Sequence, residues 1–514
     1  MEQKCLEEFR EDLKEFHEMT RMFYAKEITV PEYKGFSGGF GSYAQRGGER
    51  SMLRLRLAGG EINMEKLKFL ADSVKKYDID LVHFTTCQTV QMHNLTEETV
   101  CRLIEEAFDN GIITRGGGGD FPRNVMCSPL SGVEEGEYFN VLPYAREAAD
   151  YMLTFIKKVK LPRKLKVAFS NSKKNFTHVT FRDLGFMARE NGNFDVYCAG
   201  GLGLRPKFGV LAAEDIAPER ILYCIKTMVD IFTEHGNYEN RAASRTRFLQ
   251  DTLGVDGLKE VFLKKLSENL EKEKLDIHVS VEQVKKTGNA DIELEKHQRI
   301  VKQKQTGLYA VSYHPVAGVP KTDFFEKLYE TAKDMEAVKL RLSPEQGLYI
   351  INLTSEEAKK VLAITEDGAN TTFERSTACI GADICQVGIG RARILLQECV
   401  ARVKKENFAD GVLPAIHISG CPSSCGTHQT AAIGLRGGKK PTPEGPKFAF
   451  AVYENGCETA GKEAMGTEIG VMLEDEIPQF FVELGRAVEE TGLTYAGFRR
   501  EYPDKFMEIV AKYI

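Results

Sequence analysis

A weak internal repeat constrains the fold of this 514-residue chain more than any other feature. The segment that begins at Gly41–Gln45 ("GSYAQ") is followed by the pattern strand, helix, strand, helix, and the pattern recurs after Gly307–Val311 ("GLYAV"). "NLTEE" at 94–98 matches "NLTSEE" at 352–357, and in each the Thr is the expected helix N-cap, followed by carboxylates in the first turn. We therefore predict two copies of one unit.

The repeat extends into a second, larger part of each copy. Leu165–Phe186 resembles Ala415–Leu435, and each segment has a Ser and a Gly 15 positions apart and a Thr-His pair. Each copy is therefore predicted to combine a small αβ module with a larger α/β module. The Lys-rich stretch at 260–305 joins the copies, and we predict a helix followed by a solvated polar linker there.

Composition excludes several classes of protein. The formal net charge of −6 gives no general attraction to nucleic acid or to an anionic membrane, so an anion site must be local. The N-terminal 27 residues form a charged amphipathic pattern rather than a signal peptide, and no apolar run approaches the ~18 residues of a membrane span. We expect a cytoplasmic location, where the 12 cysteines stay reduced.

Four cysteines are clustered in the second copy alone. Cys379 and Cys385 have five residues between them, and Cys421 and Cys425 have three. Two close pairs of thiolates suit a Cys₄ site, and the five-residue gap favours an iron–sulfur cluster over structural zinc, whose pairs usually have two to four residues between them. Pro422 follows the third cysteine, as at many iron–sulfur ligands. A [4Fe–4S] cluster is the favoured interpretation.

The Cys-x5-Cys pair followed by the Cys-x3-Cys pair of "SGCPSSCG" resembles the pattern of the siroheme-containing sulfite and nitrite reductases. The resemblance runs from Gly41 to about Phe506 and includes "TRGGGGDFPRNVMCSPLSG", "LPRKLKV" and "DVYCAGGLGLRPKFG". The resemblance implies an α/β (α+β) fold of three domains around a pseudo-twofold axis. Residues 1–119 and 300–370 would pair as ferredoxin-like repeats. Residues 120–299 would form the siroheme and substrate-side domain, and residues 371–514 the domain that binds the cluster and the siroheme.

The resemblance also implies the cofactor contacts. Cys379, Cys385, Cys421 and Cys425 would ligate a [4Fe–4S] cluster, and Cys425 would bridge it to the siroheme iron. Siroheme carries eight carboxylates, so cations are expected around it. Arg163 matches a family contact to a siroheme carboxylate, and Arg115 and Arg46 are further candidates.

The substrate of such a site is a small oxyanion, so cations and proton donors are expected beside the iron. Arg123, Lys164 and Lys166 match the family's substrate-side cations. If residues 164–167 form a strand, the two lysines point to one face, and crowded cations lower lysine pKa values. Lys166 favours six-electron reduction of sulfite to sulfide, with reduction of nitrite to ammonium as the alternative.

Cys87 departs from the family pattern. It lies in Leu81–His93 ("LVHFTTCQTVQMH"), which alternates like a single strand. Related proteins have an Arg at this position that faces the substrate, so the resemblance places Cys87 near the open face of the siroheme. The loss of a guanidinium keeps open a different, less charged oxyanion substrate.

Electrons must come from a partner, because the chain has no convincing nucleotide or flavin fingerprint. Ferredoxin is the predicted donor and a flavoprotein subunit is the alternative. Basic surface is expected at Arg241–Phe248 or Arg436–Lys440. Two other classes also remain open: a non-catalytic cluster protein and a zinc-stabilised structural protein.

Overall fold

The computed structural model describes residues 3–514, and Met1 and Glu2, where the N-terminal helix was predicted to begin, lie outside the described residues. The first small module has a four-stranded sheet of order β1-β2-β5-β4. Its elements are α1 (Gln3–Tyr24), α2 (Val30–Ser37), β1 (Ser42–Ala44), β2 (Ser51–Leu55), β3 (Glu61–Ile62), α3 (Met64–Lys76), β4 (Val82–Phe84), β5 (Val90–Leu95) and α4 (Glu97–Asp109).

The first large module has a mixed five-stranded sheet of order β10-β9-β8-β7-β6, in which β6, β7 and β8 run parallel. Its elements are β6 (Met126–Cys127), α5 (Leu142–Thr154), β7 (Val167–Ser170), β8 (Leu184–Ala188), β9 (Phe194–Cys198), β10 (Val210–Ile216), α6 (Ile221–His235), α7 (Leu249–Leu253) and α8 (Val255–Lys272). Helices α5, α6 and α8 and the inward faces of the strands bury one continuous apolar core.

The second small module repeats the first, and its sheet has the order β11-β12-β14-β13-β3. Strand β3 of the first copy therefore completes the sheet of the second. The elements are α9 (Ile292–Glu295), β11 (Ile300–Lys302), β12 (Tyr309–Tyr313), α10 (Phe324–Ala332), β13 (Lys339–Leu342), β14 (Leu348–Leu353) and α11 (Ser355–Ile364). Side chains from both small modules, including Phe84 and Phe324, pack in one shared core.

The second large module again has a mixed sheet, of order β15-β16-β17-β18-β19. Its elements are β15 (Thr377–Ala378), α12 (Ala392–Val403), β16 (Ile416–Ser419), β17 (Ile433–Lys440), β18 (Lys447–Glu454), β19 (Thr467–Leu473), α13 (Ile477–Glu489), α14 (Tyr495–Glu501) and α15 (Pro503–Val510). The parallel pairing of β16 with β17 repeats that of β7 with β8. The mixed α/β content and the repeat agree with the predicted fold class.

Backbone conformation confirms the repeat in detail. Gln88 and Gln346 have φ of 53° and 67°, and Asn94 and Asn352 have φ of 58° and 65°. Thr96 and Thr354 cap α4 and α11, as predicted, with carboxylates in each first turn. Such left-handed residues are uncommon outside glycine, so their recurrence at matching positions marks equivalent turns.

The structure agrees with the predicted register of Ser170–Gly185 against Ser419–Gly434, which places residue 178 opposite residue 427. His178 (φ 55°) and Thr427 (φ 54°) both begin short 3₁₀ turns and occupy equivalent places. The pairs 177–178 and 427–428 are therefore offset by one residue. The Thr-His pairs themselves are not structurally equivalent, whereas the turn that begins at residues 178 and 427 is repeated.

The stretch that joins the copies begins with helix α8 and continues as a polar linker, as predicted, but the linker is not solvated throughout. Lys286 is 9% exposed, and its ammonium donates to the Glu336 carbonyl, the Asn352 carbonyl and the Glu357 carboxylate at 2.6–2.9 Å. This lysine anchors the linker on the second small module.

Candidate active site

The four clustered cysteines come together in the structure. Cys379 and Cys385 follow β15, and Cys421 and Cys425 follow β16, so two neighbouring parallel strands deliver both pairs at one sheet edge. Burial and the charges of Cys425 and Cys421 raise the pKa of both Cys379 and Cys385, which places the four thiols within mutual electrostatic reach. Within residues 3–514, no three His, Cys, Asp or Glu side chains are grouped tightly enough to hold a single metal ion.

Glycines shape the backbone around these thiols. A Cβ on Gly420 would lie 2.6 Å from the Gly390 carbonyl oxygen, and a Cβ on Gly426 would lie 2.1 Å from that of Ile418. The Gly420 N–H donates to Cys379 Sγ at 3.1 Å. A concave, glycine-lined cradle with four thiols and a backbone N–H aimed at sulfur fits a [4Fe–4S] cluster.

Three other segments reach the cysteine loops. Thr86 Oγ1 donates to the Cys425 carbonyl at 3.0 Å. The Arg46 guanidinium donates to the carbonyls of Cys385 and Gly388, and the Gly203 N–H donates to Gln429 Oε1 at 2.8 Å. Arg46, predicted as a siroheme contact, is therefore placed against the cysteine loop and is exposed.

Cys87 lies in a turn, not in a continuous strand. Strands β4 and β5 are separate and antiparallel, and residues 85–89 connect them, with Gln88 in the left-handed region. The prediction of a single strand was wrong because the alternating pattern continues through the turn. The turn presents Cys87 between the apolar cluster of Met126, Ala168 and Val179 and a group of cations.

The cations around Cys87 change its chemistry. Burial alone would raise the pKa of the thiol, but Lys166, which also hydrogen-bonds to it, and the charges of Arg182 and Arg54 lower that pKa to about 6. Cys87 is thus a thiolate at neutral pH and forms an ion pair with Lys166.

The two predicted lysines lie just before β7 rather than within a strand. Pro122 pairs with Leu165 in an isolated bridge and the Arg123 N–H donates to the Leu165 carbonyl at 2.8 Å, so Arg123 lies beside both lysines. Burial, Arg245, Lys166 and Arg123 together hold the pKa of Lys164 well below its usual range, whereas the charge of Cys425 opposes that shift. The predicted substrate-side cations are therefore brought together, beside the cysteine loop.

Arg123 is held by the glycine loop at 116–119. Its guanidinium donates to the carbonyls of Gly117 and Gly119 at 2.7 and 2.8 Å. Burial is the main cause that lowers its pKa, to about 10. The loop packs against Gly38 and Gly41, and a Cβ on Gly118 would collide with the Gly38 carbonyl oxygen.

Sequence reasoning missed several cations of the site. Arg245 and Arg247 lie in the segment predicted to be basic surface, yet Arg245 bonds the fully buried Asp183 at 3.0 Å and Arg247 is 4% exposed. Arg182, which is 5% exposed, was also missed. No local signal in "SRTRF" marks these arginines as buried, because Arg247 lies in a short 3₁₀ helix and the groups that bind both arginines are distant in sequence.

Two predicted cofactor contacts are engaged elsewhere. Arg163 bonds Asp120, which also accepts from Arg241. Arg115 is 3.2 Å from Asp12 and stacks over Phe40 at 4.2 Å, and it donates to the Gly39 carbonyl. Arg115 thus does not join the cation group around Cys87.

Unpartnered donors test whether a polyanionic macrocycle fits. Within residues 3–514, the buried N–H atoms without a hydrogen-bond partner include Arg123 Nε, Arg182 Nη2, Arg245 Nε and Arg247 Nη1. Buried guanidinium donors are rarely left unsatisfied, so an anionic group is expected against them. The residues present fit a siroheme beside the cysteine cradle.

Among the same described residues, no helix is long and apolar enough to be a membrane span.

Comparisons with known proteins agree with this geometry. The model of the nitrite and sulphite reductase 4Fe-4S domain matches residues 118–270, and that of the nitrite/sulfite reductase ferredoxin-like half domain matches 43–107 and 301–367. The four cysteines lie outside these matched ranges.

The chloroplastic ferredoxin–nitrite reductase of Spinacia oleracea is 27% identical over 411 residues, covering 76% of this chain and 66% of that protein. The chain therefore spans about two thirds of the length of the spinach enzyme. Sulfite reductase [ferredoxin] 1 of Mycolicibacterium paratuberculosis is 23% identical over 399 residues, which is 75% of this chain and 69% of that one. The Mycobacterium tuberculosis NirA protein shares the fold, with a TM-score of 0.78, 22% identity and 97% coverage of both chains.

Proposed function

Because this chain belongs to the nitrite and sulfite reductase family, whose members carry siroheme and a [4Fe–4S] cluster, we propose that it reduces nitrite to ammonium. Sulfite is the second candidate substrate. Siroheme and cluster would supply the electrons to the bound anion, whereas the residues of this chain bind the anion and deliver protons.

The ion pair between Cys87 and Lys166 is the observation that favours nitrite over sulfite as the substrate. Lys166 was the residue that favoured sulfite in the sequence, but its ammonium is engaged by a thiolate. Sulfite has more negative charge than nitrite near neutral pH, so it needs more uncompensated cations in a pocket with little water. Of the three predicted substrate-side cations, Arg123 and Lys164 remain for an anion, which suits a singly charged substrate.

The roles of the remaining cations follow from their chemistry. Arg123 stays protonated and, held by two carbonyls, offers its free Nε to an oxyanion. Lys164 has a strongly lowered pKa, so it can donate a proton to a departing oxygen, which a guanidinium cannot do.

Sulfite is the second candidate because Lys166 could bind an anion if it were released from Cys87. If a more highly charged anion displaces the thiolate, or if Cys87 is protonated below its pKa of about 6, Lys166 becomes available. Sulfite turnover should then rise relative to nitrite turnover as the pH falls.

A ferredoxin-type iron–sulfur protein is the proposed electron donor, and a flavoprotein is the alternative. Burial of Arg245 and Arg247 removes most of Arg241–Phe248 as a docking surface. Arg436–Lys440 stays a candidate, since Lys439 is exposed.

A cytoplasmic location is also proposed, because the four cluster cysteines must stay reduced to bind iron.

Steady-state kinetics of the cofactor-loaded enzyme with nitrite and with sulfite test the choice of substrate. The wild-type enzyme should have the higher kcat/KM for nitrite. Cys87→Ser releases Lys166 with little change of volume, and Cys87→Arg adds a cation, so both should raise kcat/KM for sulfite by about tenfold or more.

Cys101→Ser is the matched control, because this thiol lies on α4 and its pKa is raised by burial to about 12. It should leave the ratio of the two substrates unchanged. Preference of the wild-type enzyme for sulfite would contradict the proposal. Identical substrate ratios in the wild-type enzyme, Cys87→Ser and Cys87→Arg would also contradict it.

A further inference from the structure

Two titratable side chains, His178 and Glu458, lie beside Arg182 and are not among the cysteines and arginines assigned to the cofactors. His178 is 8% exposed, and its Nε2 is 3.6 Å from a carboxylate oxygen of Glu458. The His178 ring stacks on Phe181 with centroids 5.0 Å apart. The Glu458 side chain is 28% exposed, so the pair joins solvent to the buried interior.

Atoms of this group lack the hydrogen bonds that burial demands. Within residues 3–514, His178 Nδ1, Glu458 Oε2 and Arg182 Nη2 are buried without a partner, and so are both ring nitrogens of His428. Buried polar atoms normally have a hydrogen-bond partner, so these atoms have hydrogen-bonding capacity left over. The His178–Glu458 pair can therefore accept and donate further hydrogen bonds beside Arg182.

The segment that carries His178 also contacts the substrate pocket. Val179, the neighbour of His178, belongs to the apolar cluster against which Cys87 packs. The guanidinium of Arg182 is electrostatically linked to Cys87 on one hand and to Glu458 and His178 on the other, because each of these charges affects a pKa of the others. Asp183, the residue after Arg182, accepts the Lys166 N–H at 2.8 Å, so the segment that carries His178 and Arg182 also runs beside the two lysines.

The charged and titratable groups around this pair come from several separate segments of the chain. Glu458 faces His178, His417 and Arg182 and is near Thr430, and these neighbours lower its pKa against the effect of burial. Burial is the main cause that lowers the pKa of His178, to about 4. Burial and the charge of Glu458 raise the pKa of Glu345 to about 7, and Arg375 opposes that shift.

Protons are needed in quantity at the substrate pocket. One nitrite, eight protons and six electrons give one ammonium ion and two water molecules, and the electrons come from the one-electron iron–sulfur donor. Arginines cannot supply protons, so Lys164 must be reprotonated repeatedly during each turnover. A pocket lined by guanidinium groups therefore needs a separate entry for protons.

We propose that the His178–Glu458 pair is the proton entry of the substrate pocket and relays protons from solvent past Arg182 toward Lys164. This inference rests on the proposed function, because it assigns the protons of that reaction to a route. In this route both residues are positioned to pass protons on, and Lys164 is the group that delivers them to the anion.

His178→Gly tests the relay with little backbone strain. His178 has φ of 55°, a conformation that glycine adopts freely, and the substitution leaves a space against Phe181 that imidazole can fill. We expect kcat for nitrite to fall at least about tenfold with KM little changed, and added imidazole to restore most of the loss. Glu458→Gln should also lower kcat, without rescue by imidazole.

His278→Gly, at an exposed position of the linker, is the control and should behave as wild type with and without imidazole. If His178→Gly and Glu458→Gln both turn over nitrite like the wild-type enzyme, the relay is wrong. A loss of kcat in His178→Gly that imidazole does not restore also overturns it, since that result indicates a structural role.

A second readout does not require turnover. Glu458→Gln removes a negative charge beside Arg182, so Arg182 should stabilise the Cys87 thiolate more strongly and lower the pKa of Cys87, measured by the pH dependence of its alkylation in the cofactor-free protein. An unchanged pKa overturns the link between the pair and the pocket. If the wild-type enzyme reduces neither anion, the proposed function fails, and this alkylation result still decides whether the link exists.

Discussion

At the scale of single residues, the ionisation of Cys87 decides how many cations the substrate pocket offers. Nothing in "TTCQT" indicates a thiolate, since the cations that lower the pKa come from other segments, chiefly Lys166, Arg182 and Arg54. The other cysteines behave differently: burial raises the pKa values of Cys198 and Cys224 to about 12. At neutral pH, Cys87 should therefore be ionised, whereas Cys198 and Cys224 should be protonated.

Alkylation of Cys87 by iodoacetamide should follow this difference. The thiolate is the reactive form, so the rate should be low below pH 6, rise through an inflection near pH 6 and stay on a plateau at neutral pH. Mass spectrometry of tryptic peptides across a pH series measures the rate. Lys166→Met should move the inflection upward, and an inflection near that of an ordinary thiol in the wild-type protein would disprove the ion pair.

At the scale of elements, two equivalent glutamines tie the modules together. Gln88 bonds both the N–H and the carbonyl of Cys127 at the start of the first large module, and Gln346 bonds those of Ala378 in the second. Each also donates to the partner copy, Gln88 to the Leu342 carbonyl and Gln346 to that of Phe84. The repeat thus continues in the contacts that hold the turns.

Replacement of either glutamine by leucine should destabilise the protein. Gln88→Leu and Gln346→Leu each leave buried backbone groups unpaired, so each should lower the free energy of unfolding by about 1–3 kcal/mol. Urea denaturation measures the loss. Gln298→Leu, at an exposed position, is the control, and an effect of Gln88→Leu no larger than that of the control would show that the bonds are replaced by water.

At the scale of the whole molecule, the site exists only where several modules meet. The hairpin turn of the first small module reaches the cysteine loop through Thr86, the segment before β7 brings Lys164 near Cys425, and the loop after β9 contacts Gln429. Cofactors bound between modules stabilise the folded state by mass action. The pocket is therefore expected to stabilise the assembly only when it is filled.

Loading with cofactors should accordingly raise the thermal midpoint of unfolding by several degrees, as a gain of a few kcal/mol does in domains of this kind. Calorimetry of cofactor-free and loaded protein, together with iron and acid-labile sulfide contents, checks this expectation. Cys385→Ser should lose most of the cluster iron and most of the gain. Equal midpoints for loaded wild-type protein and Cys385→Ser would contradict an assembly held by its cofactors.

Much of the architecture was predictable from the sequence because its signals are local. The N-caps at Thr96 and Thr354, the helix and linker between the copies and the paired cysteines depend on residues a few positions apart. The errors arose where local pattern and geometry differ. The alternating pattern at 81–93 continues through a turn, so it predicted one strand where there are two. Arg245 and Arg247 resembled surface charge because their buried partners are distant in sequence.

The sequence by itself determined which modules form, that they are repeated, and which four thiols are available for a cluster, because capping, periodicity and ligand spacing act over short stretches of chain. Only the tertiary structure decided the charge state of the site. Cys87 with Lys166, Asp183 with Arg245 and Glu458 with His178 are pairs from separate segments. Electrostatic interaction depends on distance in space and on burial, and the folded chain alone sets both.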